Sequence, residues 1–145
     1  MTRRGPDLIR IWFTEVWDKR RAEAIDEHAA ADWDGHDLDL PGSPDLSWRE
    51  RFKLVHEAYC SAFPDITIAV DRTIGDGDYV SAHCTIRGTH LGEGLGFPAT
   101  GRSVNFTGIV LVRYVDGRIA ESWESWNFLK MYSQLGQNLT YAPLA

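Results

Sequence analysis

The sequence predicts an α+β domain in which helices come first and cover one face of a curved, mostly antiparallel sheet. Three observations lead to this prediction. Apolar residues recur every three or four positions in the first third of the chain, they alternate with polar residues after Pro64, and glycine-aspartate turns separate the alternating runs. A chain of 145 residues has room for one hydrophobic core, so we assign residues 1–145 to a single domain.

The first third of the chain is predicted to be helical up to about residue 30. Leu8, Ile11 and Trp12 begin a pattern of apolar side chains at helical spacing, which predicts two short helices or one broken helix over residues 6–30. Residues 32–45 are rich in Asp, Gly and Pro, so we expect an ordered acidic loop there.

A third helix is predicted after this loop. Ser47 and Glu50 have the spacing of a capping box, which marks the start of a helix. We expect the helix to end before Pro64, because a proline disfavours helical backbone in the residue that precedes it. Its apolar face carries Phe52, Val55, His56, Tyr59 and Phe63.

Strands are predicted for most of the remaining sequence. Residues 66–70 and 80–86 alternate between apolar and polar side chains, and the turn formers at 75–77 predict a hairpin between them. Asp116 and Gly117 predict a second hairpin. Strand runs of about ten residues are longer than average, which indicates a strongly curved sheet.

Two further segments complete the predicted fold. Residues 88–101 contain five glycines and one proline, so they are expected to form a long connection over one end of the sheet. Residues 127–135 return to helical spacing and stop at Gly136.

The composition excludes several classes of partner. The formal net charge is −6 and the isoelectric point is near 5.3, so we predict no binding to nucleic acid or to an anionic membrane surface. No stretch approaches the ~20 apolar residues of a membrane-spanning helix. Aromatic residues make up 12% of the chain and include six Trp, which favours a cavity for a small hydrophobic molecule.

We predict neither a metal nor a cofactor. Cys60 and Cys84 form no CxxC pair and no signal peptide precedes them, so we expect unpaired thiols in a cytoplasmic protein. The acidic loop around His36 lacks the glycine and the terminal glutamate of a calcium loop. The glycines at 92–96 lack the lysine of a phosphate-binding loop.

The last predicted strand, residues 118–126, carries two candidate carboxylates. Alternation places Ala120, Ser122, Glu124 and Trp126 on one face and Ile119, Glu121, Trp123 and Ser125 on the other. A glutamate packed beside a tryptophan in a cavity has a raised pKa and becomes a proton acceptor near neutral pH. The alternation alone leaves open which face lines a cavity, and two glutamates in solvent would explain it equally well.

The histidines also leave alternatives open. His36 lies beside acidic residues in the loop and is either a substrate contact or an exposed side chain. His83 is on the polar face of its strand, where a role in the cavity and exposure to solvent are both reasonable. His56 is on the apolar face of the third helix, where a buried histidine with a satisfied hydrogen bond is the common outcome.

Three segments resemble the SnoaL-like polyketide cyclase family of the NTF2-like superfamily: the run Arg87–Gly108, the run Asp116–Trp126, and Gln134–Gly136. The resemblance extends from about Trp17 to Gly136. It implies an NTF2-like cone in which the N-terminal helices and the curved sheet enclose an apolar cavity. It also selects the face of the last strand with Glu124 as the cavity face, which turns Glu121 and Trp123 outward.

The resemblance implies a catalytic residue as well. In the cyclases an acidic residue of the last strand removes a proton from a carbon flanked by carbonyls, and intramolecular aldol closure follows without a metal or cofactor. Glu124 matches that position, where the family usually has aspartate. His36 and His83 are then candidate hydrogen-bond donors to the enolate, and the expected substrate contacts are Trp17, Trp33, Val55, Tyr59, Phe106, Ser122, Trp126 and Asn127.

Two other functions use the same cavity. A non-catalytic ligand-binding protein would need no base, and a hydroxylase or hydrolase would use Glu124 to activate the substrate or a water molecule. Outward Trp123 beside Ile119 would be an exposed apolar patch on a monomer, so we expect a homodimer that forms through the sheet.

Overall fold

The computed structural model describes residues 4–137, which form four α-helices packed on a five-stranded sheet. The helices are α1 (Gly5–Trp12), α2 (Glu23–His28), α3 (Trp48–Ala62) and α4 (Phe128–Gln134). Ser47 caps α3 by accepting a hydrogen bond from the backbone N–H of Glu50, as the capping-box spacing predicts. No helix of the described residues is long and apolar enough to cross a membrane.

The first helix continues into a π-helical turn, Phe13–Asp18, that the periodicity did not predict. In this wider turn the backbone N–H of Lys19 bonds the carbonyl of Thr14, five residues earlier. The ring of buried His56 donates its Nε2 proton to the carbonyl of Val16, over 2.6 Å. Burial lowers the pKa of His56, so the ring stays neutral and serves as a core hydrogen-bond donor.

The strands are β1 (Ala29–His36), β2 (Thr67–Asp76), β3 (Tyr79–Thr89), β4 (Ser103–Val115) and β5 (Arg118–Trp126), in the order β1-β5-β4-β3-β2. β2 to β5 pair antiparallel with their neighbours in the chain. The two predicted hairpins join β2 to β3 and β4 to β5, and the glycine-rich connection joins β3 to β4. β1 corrects our interpretation of residues 32–45, because the first five of them belong to a strand that pairs parallel with β5. The hydrogen bonds to β5 outweigh the low strand propensity of the Asp and Gly residues there.

A β-bulge in β5 changes which residues face inward. Tyr114 of β4 pairs with Ile119, whereas Arg113 pairs with Glu121, so Ala120 is the extra residue. Ile119 is therefore buried, which corrects the expectation that it faces outward with Trp123. Beyond the bulge the alternation proceeds as predicted, and Ser122, Glu124 and Trp126 share the inner face.

The glycine-rich connection follows β3 and packs against the end of α3. A Cβ atom at Gly92 would lie 2.0 Å from the carbonyl oxygen of Ser61, and one at Gly94 would lie 2.0 Å from that of Ala58. Glycine is required at both positions because the two backbones touch. This contact holds α3 over the concave face of the sheet, and the space between them is where Glu124 points.

Candidate functional site

Glu124 lies at the wall of an apolar pocket between the helices and the inner face of the sheet. The pocket is lined from the π-helical turn, from α3, from three strands and from the start of α4. Its lining residues are Phe13, Trp17, Leu38, Phe52, Val55, Tyr59, Ile66, Ile68, Ile86, Glu124, Trp126 and Phe128. Glu124 is the one charged side chain among them, so the pocket combines an apolar wall with a single acid.

The pocket is nearly filled by its own side chains. Its free volume is about 40 Å³, whereas pockets for drug-sized ligands span roughly 300–1,000 Å³. Six of the lining residues are partly exposed: Leu38, Val55, Tyr59, Glu124, Trp126 and Phe128. Of these, Leu38, Val55, Tyr59 and Phe128 come from the helices and the loop before α3, and they mark the mouth of the pocket. A polycyclic molecule can therefore enter only if these mouth side chains move apart.

One oxygen of the Glu124 carboxylate is held out of water, while the residue as a whole is partly exposed. Its Oε2 atom is buried and has no hydrogen-bond partner among the described residues. This burial raises the pKa of Glu124 to about 7, and the nearby Trp126 indole acts in the opposite direction. Near neutral pH the side chain therefore exchanges its proton readily, as a general base or acid must.

A second, smaller void adjoins the same carboxylate. It has a volume of about 10 Å³ and is lined by Ser122, Glu124 and apolar or aromatic residues of α1, β1 and β4. The indole N–H of Trp33 donates a 2.8 Å hydrogen bond to the hydroxyl oxygen of Ser122 in this buried region. Trp33 and Ser122, which we expected to contact substrate, thus face this void and not the main pocket.

Aromatic rings form the walls of the main pocket. The ring of Trp126 lies across Gly108 on the neighbouring strand and stands 6.3 Å from that of Phe13, centroid to centroid. The π-helical turn places Phe13 and Trp17 on the same wall, and Trp17 packs on the ring of His56 at 4.9 Å. The predicted contacts Trp17, Val55, Tyr59 and Trp126 are therefore brought together at one pocket.

His36 is on the opposite face of the sheet from Glu124, so the structure does not bring it to the pocket where we expected it as a donor to the enolate. Its Nε2 lies 3.0 Å from a carboxylate oxygen of Glu121 and 3.4 Å from one of Asp34. Its ring stacks on that of Trp123, the outward neighbour of Glu124. The Asp34, His36 and Glu121 ligand atoms lie within 4.8 Å of one another, but the Arg113 guanidinium already pairs with Glu121 at 3.3 Å.

His83 is also outside the pocket. It lies on the outer face of β3, where its Nδ1 is 3.5 Å from a carboxylate oxygen of Asp71. The same outer groove is lined by Asn127, whose side-chain oxygen caps α4 by accepting from the backbone N–H of Lys130. Neither His83 nor Asn127 reaches the Glu124 pocket, which corrects both predictions.

Phe106 is fully buried in the core and packs on Phe128, so it supports the pocket from behind and does not line it. Several lining residues were missed. The missed residues are Phe13, Leu38, Phe52, Ile66, Ile68, Ile86 and Phe128. A signal was present for part of them, because Phe52 shares the apolar face of α3 with Val55 and Tyr59, and Ile66 and Ile68 share one side of an alternating run.

Solved structures identify the class of protein. The chain superposes on AclR of Streptomyces galilaeus, a proposed hydroxylase, with a TM-score of 0.76 and 25% identity over 90% of this chain and 94% of that one. It superposes on IdmH of Streptomyces antibioticus, a proposed polyketide cyclase, with a TM-score of 0.73 and 33% identity over 90% and 97% of the two chains. The fold is therefore the NTF2-like cone of these proteins.

The sequence then identifies the family. Residues 7–135 match the SnoaL-like polyketide cyclases, and the chain belongs to that family, as the resemblance predicted. Among related proteins are the aklanonic acid methyl ester cyclases DnrD of Streptomyces peucetius and DauD of Streptomyces sp. strain C5, each 39% identical over 62 residues. That segment is 43% of this chain and 43% and 38% of the two cyclases, so the match spans less than half of either relative.

Proposed function

We propose that the protein catalyses a cofactor-independent intramolecular aldol cyclisation of a hydrophobic, polyketide-like carbonyl compound, with Glu124 as the general base. The observation that carries this proposal is the carboxylate of Glu124 at the wall of an apolar, aromatic pocket, with its Oε2 atom buried. Membership of the SnoaL-like polyketide cyclase family and the names of DnrD and DauD support the reaction class.

The proposed reaction returns the base to its starting state. The Glu124 carboxylate takes a proton from a carbon that lies between two carbonyl groups, which leaves an enolate. The enolate carbon attacks a second carbonyl of the same molecule, and a carbon–carbon bond forms as that carbonyl becomes an alkoxide. The protonated Glu124 then gives its proton to the alkoxide, so no electron donor or acceptor is needed. Such a positioned base contributes roughly 10²–10⁴-fold to the rate.

Tyr59 replaces the histidines as the proposed hydrogen-bond donor to the enolate. Its side chain lines the same pocket as Glu124, whereas His36 and His83 lie beyond the sheet. Burial raises the pKa of Tyr59, so the phenol keeps its proton at every pH at which Glu124 titrates. A neutral O–H in an apolar pocket stabilises negative charge on an enolate oxygen more strongly than it would in water.

The small volume of the pocket restricts how a substrate binds. We propose that a hydrophobic ligand displaces the mouth side chains, above all Leu38 and Phe128, and takes their place against the aromatic walls. Both residues are partly exposed, and they belong to different segments of the chain, so they can separate without disturbing the buried inner end of the pocket.

Cys60 and Cys84 are both unpaired, which supports a cytoplasmic location.

The substitution Glu124→Gln tests the proposed function. It keeps the shape of the side chain and removes its basicity, so we expect kcat to fall by about 10²–10⁴-fold. Turnover is followed with aklanonic acid methyl ester and other aromatic polyketide carbonyl compounds, with products identified by mass spectrometry. The matched control is Glu121→Gln. Glu121 lies three residues before Glu124 on the same strand but on the outer face, so this substitution should leave kcat unchanged.

The pH dependence of the reaction gives an independent check. The base must be deprotonated to act, so kcat/KM should rise with pH through an apparent pKa of about 7, the value that burial gives Glu124. Full activity in Glu124→Gln, or a kcat/KM that is constant between pH 5 and pH 8, would contradict the proposed mechanism.

Hydroxylation is a second candidate, favoured by the likeness to AclR. The two reactions differ in the mass of the product. Cyclisation by aldol closure leaves the mass of the substrate unchanged, whereas hydroxylation, which also consumes dioxygen and an added reductant, adds one oxygen atom. A product that is heavier by one oxygen and whose formation requires Glu124 would favour the hydroxylase, and binding without any product would favour a ligand-binding protein.

A further inference from the structure

Ser122 and Glu124 line a small space beside the main pocket, and Phe13 and Glu124 line both spaces. They lie two residues apart on β5, so their side chains point to the same inner face of the sheet. The space has a volume of about 10 Å³, close to the least that one water molecule needs. Its other lining residues are Ile9, Trp12, Phe13, Trp33, Val110, Val112 and Ile119.

The hydrogen bond from Trp33 fixes the direction of the Ser122 hydroxyl. An indole N–H is a donor only, and that of Trp33 lies 2.8 Å from the oxygen of Ser122. The oxygen therefore accepts, and its own O–H remains to be donated elsewhere. The buried Oε2 of Glu124 is an acceptor without a partner among the described residues. The O–H of Ser122 thus has no assigned acceptor, and Oε2 of Glu124 has no donor among the described residues. The two side chains lie on the same face of the same strand.

We propose that Ser122 is a positioning residue that holds one buried water molecule in this space, and that this water donates a hydrogen bond to the carboxylate of Glu124. A buried carboxylate oxygen without a donor, such as Oε2, is disfavoured, and a bridging water satisfies it nearly as well as a direct contact. The catalytic meaning of this bridge rests on the proposed function, in which Glu124 is the base. Its existence does not, because the bridge is a property of the protein without substrate.

Few other groups act on the Glu124 carboxylate. The Trp126 indole on the same strand favours its charged form. From α3 the side chain of Tyr59 lines the same pocket, and from β3 the thiol of Cys84 is close enough for its charge and that of Glu124 to interact. Burial raises the pKa of both groups, that of Cys84 to about 12, so neither carries a charge near neutral pH. Among the described residues, α1, the π-helical turn, β1 and β4 contribute only uncharged side chains to the two spaces. A hydrogen bond at Oε2 is therefore a main determinant of when Glu124 loses its proton.

The experiment measures the titration of Glu124 directly. Protein labelled with ¹³C at the glutamate side-chain carboxyl is titrated by NMR, and the Glu124 signal is assigned by its loss in Glu124→Gln. In Ser122→Ala the hydroxyl that holds the water is removed, and the charged form of Glu124 loses one hydrogen bond. We therefore expect the Glu124 pKa to rise by about 0.5 to 1. The matched control, Ser125→Ala, removes an exposed hydroxyl from the outer face of the same strand and should leave the titration unchanged.

A crystal structure of the wild-type protein supplies the second measurement. We expect electron density for one water within about 3 Å of both the Ser122 hydroxyl and the Glu124 carboxylate. An unchanged Glu124 pKa in Ser122→Ala, an equal shift in Ser125→Ala, or a space without that density would overturn the proposal. Because neither measurement uses a substrate, the proposed water bridge can be confirmed or overturned independently of the proposed function. If both proposals hold, the apparent pKa of the kcat/KM profile is higher in Ser122→Ala by the same amount as the pKa of Glu124 measured by NMR.

Discussion

Glu124 opposes folding above pH 4.5, because the folded protein holds its proton more tightly than the unfolded chain does. The pKa of this side chain rises from an ordinary 4.5 to about 7 on folding. Between these values the native state binds more protons than the unfolded state, so the free energy of unfolding decreases as the pH rises, and the loss is complete above pH 7. A site that retains such a residue gives up stability for reactivity.

The substitution Glu124→Gln should therefore stabilise the protein at pH 8 while it lowers kcat. We expect a gain of about 1–3 kcal/mol in the free energy of unfolding at pH 8 and little gain at pH 4.5. The lowered pKa of buried His56 has the opposite pH dependence, so the wild-type curve alone does not isolate Glu124. The measurement is urea unfolding of the wild type and the variant between pH 4.5 and pH 8. A difference that does not change with pH would contradict the burial of this carboxylate.

Tyr59 supplies the second prediction at this scale. Tyr59→Phe removes only the phenolic oxygen, so the aromatic wall and substrate affinity should survive. If the phenol donates to the enolate, kcat falls by about 10–10³-fold with KM nearly unchanged, because the interaction forms only in the transition state. Steady-state kinetics with the substrate used for Glu124→Gln provide the check. A rise in KM with normal kcat would instead make Tyr59 a binding residue.

Some elements of the fold are determined by local sequence patterns, whereas others are determined by pairing with a neighbouring strand. α3 was predictable because its signals are local: a cap at Ser47, an apolar face and a proline after its end. β1 was not, because Asp32, Asp34 and Gly35 disfavour a strand and only the neighbouring β5 makes them one. The bulge at Ala120 was equally hidden, since it exists only as a mismatch between β4 and β5.

The candidate site was predictable to the same extent. The two-residue period of β5 places Ser122, Glu124 and Trp126 together, and the family resemblance chooses their face. The histidines were misassigned because a polar residue in an alternating strand faces away from the core, which for His83 means away from the pocket as well. The remaining lining residues come from separate segments, whose approach no local pattern specifies.

Gly108 gives a prediction at the scale of the strand pair β4 and β5. A Cβ atom there would lie 2.2 Å from the ring of Trp126 and 2.8 Å from the carbonyl oxygen of Ser125. Gly108→Ala must therefore displace the Trp126 ring from its place in the pocket wall, and we expect a loss of about 1–3 kcal/mol in stability and a raised KM. Urea unfolding measures the stability, steady-state kinetics measures KM, and near-ultraviolet circular dichroism reports the displacement of the Trp126 ring. Thr107→Ala, at the exposed neighbouring position, is the control and should change neither.

In the whole molecule the two faces of the sheet have different surroundings. The inner face is covered by helices and carries the carboxylate, whereas no helix of the described residues lies over the middle of the outer face. Ile109 is 54% exposed there, and Leu111 on the same strand is 37% exposed. Leu111 pairs with Trp123, which itself contacts Tyr79. Tyr79, Ile109, Leu111 and Trp123 form an exposed outer patch, of which Ile119 is not a part. We therefore still expect a homodimer that forms through this face of the sheet.

The homodimer is the prediction that belongs to this scale. Exposed apolar side chains grouped on one sheet face are removed from water when two copies associate through that face, and each chain contributes the same patch. Ile109→Asp places a charge in the patch without touching the inner face, so the variant should sediment as a monomer of about 16 kDa where the wild type sediments at twice that mass. Leu91→Asp changes a residue that is 59% exposed but lies in the glycine-rich connection, and it should leave the dimer intact. Analytical ultracentrifugation between 1 and 100 μM distinguishes the outcomes, and a wild-type protein that is monomeric throughout this range would show that the outer patch is not a dimer interface.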